Sequence, residues 1–222
     1  MEPAIIYEDE EILIVDKPLN MLVHPSSSLH KPDLLTLIGH PEYGVITRLD
    51  YQTSGLVLLG KNKRSLSLLS IMQRQNKIKK FYHAIVSGHF PELEGILRCY
   101  LLIDERSSLV RTFDNHLKDA KETITMYRLL AEDDDYSLLE IELITGRTHQ
   151  IRAVMAHFNH PLAGDPLYGR KDLNRKLKLR QQALTAMRLQ FDVEDENHPL
   201  HYLNGKVFSK KVFPYLDIMK KR

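Results

Sequence analysis

Arg48 and Asp50 lie two residues apart in the run Thr47-Arg48-Leu49-Asp50-Tyr51-Gln52-Thr53-Ser54-Gly55, which leads directly into the apolar stretch Leu56-Val57-Leu58-Leu59. A turn-like segment entering a buried strand can hold a carboxylate and a guanidinium rigidly and aim both at a substrate. A carboxylate so aimed serves as a nucleophile or as a general base, in either case only while ionised. Taken alone, Asp50 also reads as a turn carboxylate bonded to its own backbone, the commoner fate of an isolated aspartate. The surrounding blocks decide between the two.

Strands must hold that turn. Residues 45–47 and 56–60 bracket it, and residues 4–7 and 12–16 read as a hairpin around Glu8-Asp9-Glu10-Glu11, stopped by Lys17-Pro18. Pro25-Ser26-Ser27-Ser28 reads as a loop and residues 33–38 as a short helix. Residues 62–73 carry Leu66, Leu69 and Met72 at helical spacing, a surface helix with one apolar stripe. Strand-like segments follow over 81–86, 96–102, 109–113, 123–130 and 136–144. Ile151, Val154, Met155 and Phe158 share one face of a helix over 149–158. A basic helix over 172–182, a strand over 184–191 and a terminal helix over 213–221 complete an α+β pattern with no internal repeat or clear linker.

The 222 residues, 43% of them hydrophobic, are enough for a well-packed core. A net charge of +2 leaves nucleic-acid affinity to local basic patches. Cys99 is the only cysteine, which excludes an intrachain disulfide and a cysteine-based zinc site and fits a reducing cytoplasm. The acidic N-terminal segment is unlike a signal peptide, and no stretch approaches the roughly 20 apolar residues of a membrane-spanning helix. Eleven histidines are present, but no cysteine or carboxylate spacing completes a ligand set around His149, His157 and His160, so no metal is expected.

The Arg48-Leu49-Asp50 block, with Thr53-Ser54-Gly55 and its apolar strand, resembles the signature of the RluA-type pseudouridine synthases. Further blocks agree in the same order: Val15-Asp16-Lys17-Pro18, Val23-His24-Pro25, Lys79-Lys80-Phe81-Tyr82-His83-Ala84, Thr145-Gly146-Arg147-Thr148-His149-Gln150-Ile151-Arg152, and His160-Pro161-Leu162-Ala163-Gly164-Asp165 with Tyr168-Gly169. Several ordered blocks carry far more weight than any one of them.

The resemblance implies the pseudouridine synthase fold, a long bent, mainly antiparallel mixed sheet flanked by helices and loops, with a central cleft. It implies a single catalytic domain over residues 1–222, without the separate S4 domain that many relatives carry. The implied reaction isomerises uridines of structured ribosomal or transfer RNA to pseudouridine, with neither metal nor organic cofactor. The enzyme is expected to be a cytoplasmic monomer with no membrane partner.

On this resemblance Asp50 is the essential catalytic residue, Arg152 its partner, and Tyr82 stacks on the target base and assists proton removal at C5. Phe81, on the opposite strand face, is expected in the core. Arg48 is expected beside the flipped nucleotide, and Thr53, Arg147, Lys79, Lys80 and Arg170 at the RNA, several of them on phosphate oxygens.

Thr47 and Thr185 stand where the family usually has histidine, which implies that the two positions are neighbours. Leu19-Asn20 replaces the usual Ser-Gly, and Asn tolerates a left-handed turn. An idle RNA-binding or RNA-folding protein on the same scaffold is the alternative. A glycoside hydrolase ranks last, because that chemistry needs two placed carboxylates and only Asp50 has the setting.

Overall fold

The structure, a computed structural model, describes residues 2–26, 31–104 and 109–219. In chain order its strands and helices are β1 (Ala4–Glu8), β2 (Ile12–Lys17), α1 (Leu34–Leu37), β3 (Gly44–Val45), β4 (Ser54–Gly60), α2 (Lys63–Arg74) and β5 (Ile78–Ser87). There follow β6 (Glu94–Ile103), β7 (Val110–Phe113), β8 (Lys121–Glu132), β9 (Tyr136–Leu143), α3 (Gln150–His157), α4 (Lys171–Leu177), β10 (Leu184–Phe191) and β11 (Val207–Ser209). The chain divides into two compact units, Met1–Lys80 with Thr185–Val212, and Phe81–Leu184 with Phe213–Arg222.

In the first unit β4 is central. Its seven residues Ser54–Gly60 are all buried, as expected of a continuous apolar run covered on both faces. Antiparallel β2 lines one edge from Ile12↔Gly60 to Lys17↔Gly55. The other edge is shared by β3 at Leu59 and Gly60 and by parallel β10 at Ser54 and Gly55. The predicted stripe on α2 is realised: Leu69 and Met72 are buried and Leu66 packs against a core of Ile12, Ile14, Leu56, Leu58 and Phe191. Asn62 starts this helix with a capping box, its Oδ1 accepting from Ser65 N at 2.9 Å.

Gly55, inside the signature, adopts φ +114°, and a Cβ there would stand 2.1 Å from the carbonyl oxygen of Ala186. The left-handed backbone and the close approach of β10 both demand glycine. Gly55→Ala is expected to cost about 2 to 5 kcal/mol, strain and overpacking combined, read as a lowered urea midpoint. An unchanged midpoint would show that β10 does not approach the signature this closely.

In the second unit the antiparallel order is β5-β9-β8-β6-β7. Ala153 and Val154 of α3 pack with Cys99, Leu101 and Val110 on this sheet, with half-buried Phe158 and Tyr168 alongside. Ile151, Val154 and Met155 of the predicted face are buried and Phe158 is half-buried, but Gln150, Arg152 and Ala153 are buried too, so burial on α3 is not confined to that face.

Some expectations change. The helix predicted over 172–182 is shorter: α4 spans Lys171–Leu177 and ends at Lys178 in the left-handed region, φ 56°. Over 213–219 there is no α-helix, only a single 3-10 turn at Leu216–Ile218. Phe213 and Tyr215 are both buried, and two anchors at a spacing of two suit extended chain rather than one helical face. Residues 220 and 221 of that expectation, and Ser27 and Ser28 of the expected loop, lie outside the described residues.

Candidate active site

The Asp50 turn is built from the end of β2 and the approach to β4. Pro18 has no N–H to continue β2, and Asn20 takes the left-handed conformation, φ 57°, that its residue type allows. The chain thereby curls back over the tip of Lys17, whose Nζ donates to the carbonyls of Pro18 at 3.0 Å and Met21 at 2.8 Å. Met21 N donates to Tyr51 O at 3.3 Å, tying this curl to the signature, and Thr53 N donates to Asp50 O at 3.0 Å to close the signature's own turn. Asp50 itself is half-buried; Leu49 before it and Thr53 after it are buried.

Lys17 is fully buried, and burial pulls its ammonium down from an ordinary value of 10.5 to about 8, while the negative charges of Asp50 and Asp16 oppose the shift. Asp16 is in turn held by Lys210. Below pH 8 the folded protein carries the full penalty of a buried cation. Between pH 8 and 10.5 the unfolded chain keeps a proton that the folded chain has released, so this contribution makes stability rise with pH. At 1.36 kcal/mol per unit the rise is at most about 3 kcal/mol. The stability of the wild type relative to Lys17→Met is therefore expected to climb from pH 7.5 to 10.5 in urea unfolding; a difference independent of pH would refute the buried cation.

In the second unit the centre of the polar cluster is Arg152 on α3. Its Nε donates to Asp165 Oδ2 at 2.7 Å and its Nη2 to Asp165 Oδ1 at 3.1 Å; Arg152 is 5% exposed and Asp165 not at all. The Tyr168 ring lies 5.2 Å from the guanidinium carbon. Tyr168 Oη accepts from Val110 N at 2.9 Å and shares a 3.0 Å hydrogen bond with His149 Nδ1.

His149 enters α3 in the left-handed region, φ 53°. Gln150, 2% exposed, replaces a side-chain N-cap as the anchor of this turn. Its Oε1 accepts from Arg147 N and Thr145 Oγ1, and its Nε2 donates to Ile124 O and Thr125 Oγ1 of β8. The turn 145–150 is thus pinned to the sheet before α3 begins, which fixes where Arg152 emerges.

The other expected site residues divide by unit. Arg48, exposed, and Thr53, buried, share the Asp50 turn of the first unit. Lys79, in the same unit, pairs with Asp192 at 3.4 Å. Lys80, 6% exposed, lies on the buried face of β5, the face that also carries Tyr82.

In the second unit Tyr82 is on that buried face, opposite Ile141, while Phe81 is half-buried and lines a cleft with Ile96, Met126, Arg128 and Glu142. The expectation that Phe81 is the core residue of the pair is reversed. Arg147 is exposed beside Lys121 in a cavity of about 470 Å³ floored by Leu101 and Val110. Arg170 is exposed and paired with Asp172 at 3.0 Å.

Thr47 and Thr185 bond to different points of β4. Thr47 Oγ1 accepts from Leu58 N at 2.8 Å, whereas Thr185 Oγ1 lies 3.1 Å from Ser54 Oγ. These anchors are four residues apart on β4, about 13 Å of extended chain. Among the described residues no three His, Cys, Asp or Glu side chains gather as a metal site, and no helix is long and apolar enough to cross a membrane.

Lys17, Gln150 and Asp165 were visible in the sequence only as members of motifs. Lys17 and Gln150 did break apolar patterns at buried positions, a signal that buried polar groups need partners. Asp165 appeared only as the last residue of the block 160–165, and nothing in its spacing pointed to Arg152.

Residues 11–157 match the RNA pseudouridylate synthase family. An uncharacterized RNA pseudouridine synthase of Mycoplasma pneumoniae is 36% identical over 173 residues, 75% of this chain and 55% of that protein. Ribosomal large subunit pseudouridine synthase D of Zymomonas mobilis is 34% identical over 221 residues, 91% of this chain and 66% of that protein. The chain thus spans just over half to two thirds of these relatives. Among solved structures, human RNA pseudouridylate synthase domain containing 1 superposes with a TM-score of 0.73 at 19% identity, covering 100% of this chain and 96% of that one, a likeness of fold.

Proposed function

The chain belongs to the RNA pseudouridylate synthase family, of the RluA type, and on that premise we propose that it isomerises uridines of structured RNA to pseudouridine as a monomeric, cytoplasmic enzyme. The carrying observation is that Asp50, Tyr82 and Arg152 all fall inside the matched residues 11–157. The names of relatives such as the Zymomonas mobilis protein favour ribosomal RNA of the large subunit as the substrate.

The reaction breaks the N-glycosidic bond, turns the detached uracil and rejoins it through C5, so the base must be held while it is free. Asp50 acts toward the ribose as nucleophile or as base. Its turn is tied to the curl that closes over Lys17, Met21 N donating to Tyr51 O and Lys17 Nζ to the carbonyls of Pro18 and Met21. Tyr82 stacks on the base and assists removal of the C5 proton; Arg152, its guanidinium held by Asp165, contributes positive charge to the reaction. Uridine in a helix has to be flipped out, and the exposed Arg48 beside Asp50 can stack against the gap. Thr53, Arg147, Lys79 and Arg170 contribute to RNA binding, the cations through phosphate oxygens.

The test is pseudouridine mapping by carbodiimide treatment and primer extension on total RNA from a deletion strain carrying wild type or Asp50→Asn. A site lost on deletion and restored by wild type alone supports the proposal and identifies the RNA. If wild-type protein restores no site in RNA, in cells or on purified ribosomal RNA, the idle RNA-binding reading replaces it.

A further inference from the structure

We infer that Asp165 is a positioning residue for catalysis, setting the plane and reach of the Arg152 guanidinium; this rests on the pseudouridine synthase reading above. A guanidinium has five N–H donors in one plane, and Asp165 takes two of them through a paired contact that fixes that plane. The carboxylate is itself immobilised: Oδ1 also accepts from Leu167 N at 2.8 Å and Tyr168 N at 3.0 Å.

The loop that carries it is tied at several further points. Asp165 O accepts from Asn174 Nδ2 at 2.8 Å and from Gly169 N at 3.2 Å, and Asn174 Oδ1 accepts from Gly164 N at 2.7 Å. Gly164 has to be glycine here, with φ +79° and Gln181 O only 2.1 Å from any Cβ. On the other flank of the guanidinium, Tyr168 is held through its hydroxyl by Val110 N and His149. The plane and one face of the Arg152 guanidinium are therefore set by Asp165 and Tyr168. A buried ion pair repays its desolvation only when its geometry is tight and its remaining lone pairs are satisfied, and the same support that Asp165 receives fixes the plane in which the Arg152 guanidinium is presented.

The test compares wild type, Asp165→Asn, Arg152→Lys and the double variant in single-RNA turnover assays, at a temperature where urea unfolding shows each to be fully folded. Asp165→Asn is expected to lower kcat on the order of 10²-fold, the effect of roughly 1 Å of misplacement, with KM for RNA changed less than twofold. In the Arg152→Lys background, where no planar fork remains to be held, the same substitution is expected to lower kcat less than threefold further. In NMR spectra the Arg152 Nε–H resonance of wild type is expected to be protected from exchange and to lose that protection in Asp165→Asn.

Normal kcat in Asp165→Asn, a loss carried by KM alone, or an equal additional loss in the Arg152→Lys background would overturn the positioning role while leaving the enzyme reading intact. Wild-type protein that converts no uridine would overturn both.

Discussion

Asp50→Asn is expected to lower pseudouridine formation by roughly 10³-fold or more while leaving the fold unchanged. The substitution keeps the shape of the side chain and removes only its charge and its basicity. The turn survives, because it is closed by the main chain: Thr53 N donates to the Asp50 carbonyl, and Met21 N to that of Tyr51. Lys17 keeps both of its carbonyl partners, Pro18 and Met21, when the carboxylate is neutralised. Urea unfolding should therefore agree with wild type within about 1 kcal/mol, the ordinary range of a half-buried polar change. Single-turnover assays on the RNA identified by mapping provide the rate. Turnover within tenfold of wild type would remove Asp50 from the chemistry.

Arg152→Ala is expected to destabilise the second unit by about 3 to 5 kcal/mol and to abolish turnover as well. The stability loss follows from Asp165, which has no solvent exposure and would lose the guanidinium, keeping the Leu167 and Tyr168 amides as donors. The aromatic face of Tyr168 also loses its cation. Replacing both charges, as in Arg152→Met with Asp165→Leu, is expected to recover most of the stability and none of the activity, because a buried pair can be exchanged for apolar packing at little net cost. Urea unfolding of the three variants beside wild type measures this. A single variant as stable as wild type would show that the pair is not buried in solution.

These two expectations differ in how far each could be read from the chain itself. The place of Asp50 in a turn before an apolar strand was legible because its causes are local: Pro18 ends β2, Asn20 accepts a left-handed turn, and the run Leu56-Val57-Leu58-Leu59 must be buried. The stripe of α2 and its cap at Asn62 were legible for the same reason, since helical spacing and capping act over three or four residues. Membership of the family was legible too, because ordered blocks survive in the sequence whatever their distance in space.

The partners of buried charge were not legible. Arg152 meets Asp165 across thirteen residues, and Lys17 is enclosed by a curl of its own chain whose closure needs Tyr51. Alternation put Phe81 and Tyr82 on opposite faces but could not say which face is covered, and the structure covers Tyr82. The threonines at 47 and 185 show the same limit: shared chemistry implied proximity, yet β4 holds them at separate anchors. Local propensity and patterning are properties of neighbouring residues, and for that reason the strands, the helices α2 and α3, the turn at Asp50 and the family could be read from the order of residues. Which polar group desolvates which other one depends on the packing of distant segments, so the burial of Lys17 under its own curl and of Asp165 against Arg152 emerged from the folded chain alone.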